Sequence, residues 1–232
     1  MLQDIRYAFR MIFRSPGFTA IAALSLALGI GANAAIFSLA DALLLRPLPV
    51  KDPGTVMAVS LDTGGNPGSL SYPDYRDLRG AAKSFDGLVA FEFSTFSMAR
   101  TASETPQLRV GVLASDDLFS VLGVQPVLGR DFLREETARG GTPAVVLAYA
   151  FWQDQFYGDR SILGKTARIS GIDFNVVGIA PKSFTGLDQY VRPAFYVPMQ
   201  MAQRLNGAPK DPLEDRNAYS FTVEGRLKRG VN

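Results

Sequence analysis

The residue types that most often do chemistry in proteins are sparse in this sequence. It contains no cysteine and no histidine, which excludes thiol nucleophiles, Ser-His-Asp triads, histidine metal sites and the usual neutral-pH general base. The adjacent carboxylates Asp116 and Asp117 could exchange protons, but the preceding Ser115 indicates a helix start, where acidic residues are favoured electrostatically. Glu135 and Glu136 are most simply a solvent-exposed run. The sequence therefore predicts no catalytic residue, no cofactor and no metal site; the alternative is an extracytoplasmic hydrolase.

A glycine-containing pattern offers a second kind of chemistry, which is nucleotide binding. Gly29, Gly31 and Ala34 fit G-x-G-x-x-A, the pattern with which a strand–turn–helix unit binds dinucleotides. The flanks are rich in Ala and Leu for longer than such a unit allows, and small residues are common packing positions in membrane helices. The ATP-binding pattern G-x-x-x-x-G-K-[ST] is absent from the sequence. We therefore interpret Gly29, Gly31 and Ala34, together with Asn33, as candidates for helix–helix packing.

These packing candidates lie in the longest apolar stretch of the chain, residues 18–45. Residues 18–40 carry no formal charge, and a helix needs about 20 apolar residues to cross the hydrocarbon core of a bilayer. In lipid, a single helix satisfies all its backbone hydrogen bonds within the segment. We predict a transmembrane helix over 18–45. A cleavable signal peptide is the alternative, because residues 32–34 offer a small-x-small cleavage pattern, but the apolar sequence continues well beyond them.

Residues 1–17 predict the orientation of this helix. Arg6, Arg10 and Arg14 recur every four residues and so share one helical face, with apolar side chains on the other. This pattern indicates an amphipathic helix at the membrane surface, with its arginines facing lipid phosphates, that ends at residues 15–17. A flexible basic tail is the alternative. Because Lys and Arg near a span are retained in the cytoplasm, we predict a cytoplasmic N-terminus and an extracytoplasmic remainder.

Residues 46–232 are then left to form a folded extracytoplasmic domain. The formal net charge of the whole chain is only +2, so no basic field exists to attract nucleic acid. Hydrophobic patterning predicts strands over 55–61, 85–97, 107–113, 143–147, 166–169, 174–179, 195–197 and 219–228. Helices are predicted over 73–82, 115–123 and 149–157 and after residue 198. Since strands and helices are interleaved without regular alternation, we predict a mixed α+β fold, in one body or in two lobes.

Three of these elements carry more specific expectations. Ser71 or Tyr72 is expected to cap the first helix of the domain and Ser115 the second. The strand at 143–147 is apolar throughout, which predicts burial on both faces. The last strand alternates, which predicts a packed face formed by Tyr219, Phe221, Val223 and Leu227, and a solvated face formed by Ser220, Thr222, Glu224, Arg226 and Lys228.

Five ordered segments carry a family resemblance. They are LALGIGANAAIFSLADALLLRPLP, SYPDYRDLR, SDDLFSVLGVQPVLGRDF, FWQDQFYGDRSILGKTARISGIDFNVVGIAP and GRLKRGV. Together they resemble the N-terminal part of MacB-type ABC transporter permeases, most of all the duplicated orphan permeases, over nearly the whole chain. The resemblance implies one helix in the bacterial inner membrane followed by a periplasmic core domain. In the family an FtsX-like domain with three more membrane helices follows, so the chain is expected to be an N-terminal fragment.

The resemblance also implies a function, that of a non-catalytic permease subunit. Members of the family pass the ATP-driven motion of a cytoplasmic ABC ATPase through their helices to the periplasmic domain, which expels or releases a substrate. The implied partners are that ATPase, membrane lipid, a second permease in a homodimer or pair, and a periplasmic adaptor, without nucleic acid. The alternative from another class is a membrane-tethered extracytoplasmic binding or sensor module that works without an ATPase.

Overall fold

The computed structural model describes residues 14–40, 49–62, 67–101, 103–188 and 190–231. The chain divides into two compact units, Met1–Arg46 and Pro47–Asn232. The first unit contains helix α1 (Pro16–Ala40). The second unit is an α+β domain, as predicted, and within its described part no further division into two lobes is found.

Helix α1 begins directly after Ser15, whose carbonyl oxygen accepts a hydrogen bond from the Thr19 amide at 3.0 Å. Pro16 is tolerated in the first turn because an N–H at this position would have no partner within the helix. The helix is apolar and exposed, with Phe18 at 77% and Phe37 at 76% of full exposure. Residues Pro16–Ser38 have a mean hydropathy of 2.0, so by length and composition this helix can cross a membrane. The predicted helix at residues 2–14 lies, except for Arg14, outside the described residues, as do residues 41–45 of the predicted span.

The domain is built on one nine-stranded mixed sheet in the order β1-β11-β4-β5-β10-β7-β9-β6, in which β8 pairs with both β4 and β9. Its strands are β1 (Val56–Val59), β4 (Phe85–Ala99), β5 (Gln107–Ala114), β6 (Leu128–Gly129), β7 (Ala144–Leu147), β8 (Thr166–Ile169), β9 (Ile172–Ile179), β10 (Phe195–Pro198) and β11 (Thr222–Leu227). The short strands β2 (Leu61–Asp62) and β3 (Pro67–Gly68) pair with each other. The pairs β5–β10 and β7–β9 are parallel. The sheet is therefore mixed, without the regular alternation of a doubly wound fold.

Helices cover both faces of this sheet. They are α2 (Tyr72–Ala81), α3 (Leu118–Leu122), α4 (Tyr149–Phe156) and α5 (Ala202–Asn206). One core layer includes Tyr75 of α2, Trp152 of α4 and Leu205 of α5. The opposite layer includes Leu118 and the rest of the apolar side of α3. Alternate residues of the central strands therefore enter different layers, and neither face of these strands is open to water.

Several local expectations are confirmed. Every residue of β7 is buried, as expected for a central strand. The sequence predicts a hairpin of strands 166–169 and 174–179 joined by residues 170–173, and β8 and β9 form that hairpin. The turn is shorter than predicted, since only Ser170 and Gly171, with φ of 46° and 79°, join the strands. Positive φ at both positions is the geometry of a tight two-residue hairpin turn. The predicted strand over 55–61 is instead divided into β1 and β2.

Candidate functional site

The candidate site is the end of the domain at which the chain enters and leaves the sheet, which we call the entry end. It consists of residues 50–56 before and at the start of β1, the C-terminal part of β11, the start of β4, and helix α3. β1 pairs antiparallel with β11, and Val56 lies opposite Arg226. β11 in turn pairs antiparallel with β4, and Leu227 lies opposite Phe85. The first residue of the first strand and the last residue of the last strand therefore lie side by side.

Arg226 joins three elements at the entry end. Its Nη1 donates to Thr55 Oγ1 at 2.7 Å, and its Nε donates to the carbonyl oxygen of Val121 in α3 at 2.6 Å. Thr55 is itself fixed, because its amide and hydroxyl both donate to the carbonyl oxygen of Asp52, at 3.0 and 2.8 Å. One guanidinium on β11 therefore connects the segment that leads into β1 with the helix packed on the sheet.

Two glycines allow the main chain to approach closely at the entry end. A Cβ on Gly87 of β4 would lie 2.5 Å from a methyl group of Val121, and a Cβ on Gly123 would lie 2.8 Å from Cβ of Lys51. Gly123 also ends α3 with φ of 68°, a conformation that costs glycine little. The Lys51 amide donates to the carbonyl oxygen of Leu122 at 3.2 Å. The incoming chain is therefore hydrogen-bonded directly to the end of α3.

Glu224 of β11 corrects the expectation of a solvated face on the last strand. Its side chain is only 7% exposed, and its Oε2 is buried without a hydrogen-bond partner. Burial raises the pKa of Glu224 to about 7, because the charged form loses hydration that nothing replaces. The expectation for Tyr219 is wrong in the opposite sense, since it is 55% exposed. The prediction of a solvated Glu224 is wrong because α3 covers the face of β11 that the alternation assigned to water.

The paired carboxylates after β5 are held by an arginine from α2. Arg79 forms ion pairs with Asp116 and Asp117 at 2.8 and 2.9 Å. Burial raises the pKa of Asp117, and the Arg79 guanidinium opposes that rise. Ser115 is not the helix cap that was predicted, because α3 starts after Asp117 and the Ser115 hydroxyl instead accepts from the Ala90 amide at 3.2 Å. These acids therefore connect the segment that precedes α3 to α2.

Glu136 corrects the expectation of a solvated acidic run. It is 6% exposed, and its two oxygens accept from Arg130 at 2.8 and 2.7 Å, while the Leu133 amide donates to it at 2.8 Å. Burial acts to raise the pKa of Glu136, but these hydrogen bonds outweigh burial and hold the pKa below its usual range. Glu135 beside it is exposed, as predicted. The two glutamates therefore differ because Glu136 has partners, the Arg130 side chain and the Leu133 amide.

The capping signal of α2 is confirmed. The Ser71 hydroxyl oxygen accepts from the Asp74 amide at 3.2 Å, and Ser71 is the N-cap residue. Asp74 and Asp77 of this helix both pair with Arg216, at 2.8 and 2.7 Å. The loop that precedes β11 is therefore attached to α2, whose Tyr75 hydroxyl donates to the main chain of β4 at Leu88.

The four predicted packing residues all lie in the described part of α1, but not on one face. A helix turns about 100° per residue, so Gly29 and Asn33 lie close together around the axis while Gly31 and Ala34 lie on the other side. A Cβ on Gly29 or Gly31 would meet nothing within 4 Å. Helix packing at these four positions stays a prediction, and it now involves two faces.

Of the predicted membrane-surface arginines, the structure describes one. Arg14 is exposed and helical, directly before Ser15, whereas Arg6 and Arg10 lie outside the described residues.

Within the ranges that are described, no group of three or more acidic side chains could hold a metal ion. The entry end therefore offers hydrogen bonds and close packing between elements, which suit mechanical connection better than chemistry.

The fold and the site define a class of protein. It is a mixed α+β domain whose first and last strands are adjacent, and which comes after a helix able to span a membrane in the sequence. Residues 19–232 match the model of the MacB-like periplasmic core domain family, and the chain belongs to that family. This confirms the resemblance to MacB-type ABC transporter permeases. Components of this kind are generally non-catalytic, and the family together with α1 indicates a membrane-anchored protein with its domain outside the cytoplasm.

Two solved structures have a similar fold. The extracellular domain of the noncanonic ABC-type transporter YknZ from Gram-positive bacteria matches with a TM-score of 0.53 and 17% identity, over 75% of this chain and 83% of that chain. The periplasmic region of MacB from Actinobacillus actinomycetemcomitans matches with a TM-score of 0.56 and 15% identity, over 79% of this chain and 78% of that chain. At these identities the comparison shows a common fold. A search of curated proteins gave no significant match.

Proposed function

We propose that this chain is the membrane anchor and periplasmic domain of an ABC transporter permease that transmits ATPase-driven motion to the periplasm for export or release of a substrate. The observation that carries the proposal is the entry end, where β1 and β11 are adjacent antiparallel strands. A displacement of the segment leading into β1 acts on β11 and α3, because Arg226 and Lys51 connect these elements directly, and on β4 through its pairing with β11.

The proposal includes an orientation for the anchor. The N-terminus lies in the cytoplasm, where Arg6, Arg10 and Arg14 face anionic lipid, since positive residues beside a span are retained on that side. Gly29 and Asn33 on one face of α1, and Gly31 and Ala34 on the other, pack against further membrane helices of the permease or of a second permease in a homodimer or pair. Small residues allow such close approach in lipid.

The proposal also includes partners. A cytoplasmic ABC ATPase supplies the energy, because the chain has no G-x-x-x-x-G-K-[ST] pattern of its own with which to hold nucleotide phosphates. The family match supports this kind of partner. A periplasmic adaptor would receive the motion at the domain.

The test measures whether ATP moves residues 50–56 at the entry end relative to the rest of the domain. Because the sequence has no cysteine, spin labels attached through Lys51→Cys and Tyr157→Cys are unique in the chain. Tyr157 is 85% exposed, so its label disturbs no packing. The permease is reconstituted with its ATPase subunit in nanodiscs and diluted with unlabelled permease, and the distance between labels is measured by pulsed electron paramagnetic resonance with and without Mg-ATP. We expect a shift in the distance distribution with ATP.

The control is a matched complex whose ATPase cannot bind ATP. In it, the distance between the labels should stay at its value without ATP. An unchanged distance in a complex that hydrolyses ATP contradicts transmission through the entry end. Failure of any ATPase subunit to co-purify with the permease favours the alternative function.

That alternative is a membrane-tethered binding or sensor module, and one feature favours it. A cleft of about 220 Å³ lies between α2 and the loops around residues 137–139 and 211–214, and Tyr72, Arg76, Gln200 and Arg139 contribute to its walls. Arg139 is already paired with Asp211 and Glu214, at 2.7 Å each. A sensor function predicts that a small polar ligand protects this cleft from exchange in the absence of any ATPase.

A further inference from the structure

Two polar groups with unsatisfied atoms lie next to each other on β11. Oε2 of Glu224 and Nη2 of Arg226 are both buried, and neither has a hydrogen-bond partner. Buried polar atoms without a partner are rare in native proteins, and they destabilise the fold most when the group is charged. A carboxyl oxygen and a guanidinium nitrogen, two residues apart and both without a partner, suggest that they hydrogen-bond to each other in a second arrangement.

Both side chains lie on the same face of the sheet. Glu224 is opposite Val89 of β4, and Arg226 is opposite Gly87, two residues earlier in β4. Successive residues on one face of a strand are about 7 Å apart, which glutamate and arginine side chains can span together. In the present arrangement the guanidinium instead points to Thr55 and Val121. The two groups can therefore meet if the arginine gives up these bonds.

Among the described neighbours of Glu224, no ionisable group other than Arg226 is a candidate partner. The strand residues beside it are Ala58 of β1 and Val89 of β4, and α3 contains only Leu, Phe, Ser and Val. Asp117 precedes α3, and Lys51 and Asp52 precede β1. None of these three charges shifts the pKa of Glu224, which is raised by burial alone. Arg226 is the one ionisable group within the described elements that shares its face of β11.

We propose that Glu224 and Arg226 form a proton-controlled latch at the entry end. With Glu224 neutral, Arg226 holds Thr55 Oγ1 and the Val121 carbonyl oxygen. When Glu224 releases its proton to solvent, the carboxylate accepts from Nη2 of Arg226 and draws the guanidinium toward itself. The bonds to Thr55 and Val121 lengthen or break, and the start of β1 is released from α3. No covalent bond changes, and the proton is the only species exchanged.

The latch makes the connection between the incoming chain and the domain depend on the pH outside the cytoplasm. Its structural part is independent of any ATPase, whereas its regulatory meaning rests on the proposed function. The pKa of Glu224, near 7, places the transition in a range that the periplasm can experience.

The test is hydrogen–deuterium exchange of the full chain in nanodiscs at pH 6 and pH 8, corrected for the intrinsic effect of pH. In the wild type we expect exchange of the peptide over residues 52–59 to be about tenfold faster at pH 8, which corresponds to the loss of one hydrogen bond to a charged group. Amides of β7, remote from Glu224, should keep the same protection at both values. Glu224→Gln should exchange slowly at both pH values, and Arg226→Gln quickly at both.

Two further variants separate the latch from simple loss of stability. Thr55→Val removes one latch bond with little change in shape, and should show faster exchange at pH 6 even if Arg226→Gln fails to fold. Glu92→Gln changes another partly buried glutamate, hydrogen-bonded to Ser220, and should keep the wild-type pH response. The proposal is overturned by a wild type without pH response, by an equal response in Glu224→Gln, or by a response that extends equally to β7. Because no ATPase is present, these results leave transmission itself untouched.

Discussion

Replacement of Glu224 by Gln should change how the stability of the domain depends on pH. An ordinary glutamate has a pKa near 4.5, whereas burial raises that of Glu224 to about 7. The folded domain therefore keeps a proton that the unfolded chain releases between these values. Stability is fully present below pH 4.5, falls as the pH rises, and reaches its lower level above pH 7. The difference in pKa corresponds to about 3 kcal/mol, a large part of the stability of an average domain.

The assay is urea unfolding of the full chain in nanodiscs, followed by the fluorescence of Trp152. This is the only tryptophan in the sequence and is 6% exposed, so its emission reports unfolding of the domain core. A glutamine has nearly the same shape as a neutral glutamic acid and does not titrate. We expect Glu224→Gln to match the wild type near pH 4.5 and to be more stable by about 3 kcal/mol at pH 8.

The control is Glu135→Gln, which changes an exposed glutamate and should follow the wild-type curve at every pH. Parallel pH profiles for the wild type and Glu224→Gln would refute the reasoning, because they would mean that Glu224 is solvated in the folded domain or that pairing with Arg226 cancels the whole cost of burying its charge. A decrease in stability at pH 8 would show that its charged form makes favourable contacts.

Three further predictions concern single side-chain contacts, each tested by the same unfolding assay. Ser71→Ala should destabilise the domain by about 1 kcal/mol, because the amide of Asp74 loses its cap and the Asp74 carboxylate loses the hydroxyl that donates to it. Gly111→Ala should cost about 1–3 kcal/mol, since a Cβ would lie within contact distance of the buried Phe195 ring; no loss would show that the ring can move. Glu136→Gln should cost about 2 kcal/mol at pH 7, and the difference from the wild type should shrink as the pH falls and the native carboxylate protonates.

Local sequence signals predicted those parts of the structure that depend on neighbouring residues. The cap at Ser71 and the hairpin turn at Ser170 and Gly171 rest on contacts within a few residues. The strand β7 was predictable because an unbroken apolar run suits only a buried position. The same reasoning failed at Ser115, where the pattern of a cap is present but the hydroxyl is used by the Ala90 amide, 25 residues earlier.

The two buried glutamates were missed for a related reason. Glu224 occupies a polar position in a regular alternation, and such an alternation normally means that one face of a strand is wet. That reading fails because β11 lies between β1 and β4 and is covered by α3, an arrangement that no segment of the sequence reveals by itself. Glu136 required its partner Arg130 to be known. The candidate site was missed altogether, because it joins residues around positions 51–55, 121–123 and 226.

The adjacency of β1 and β11 has a consequence for how such a domain can be acquired and exchanged. Neighbouring strands are about 5 Å apart, and packed helices have axes about 8–10 Å apart. A module whose two ends are this close can be spliced into the loop between two helices without forcing them to separate. The host loop then tolerates replacement of one module by another of different sequence, provided that the two junctions stay side by side.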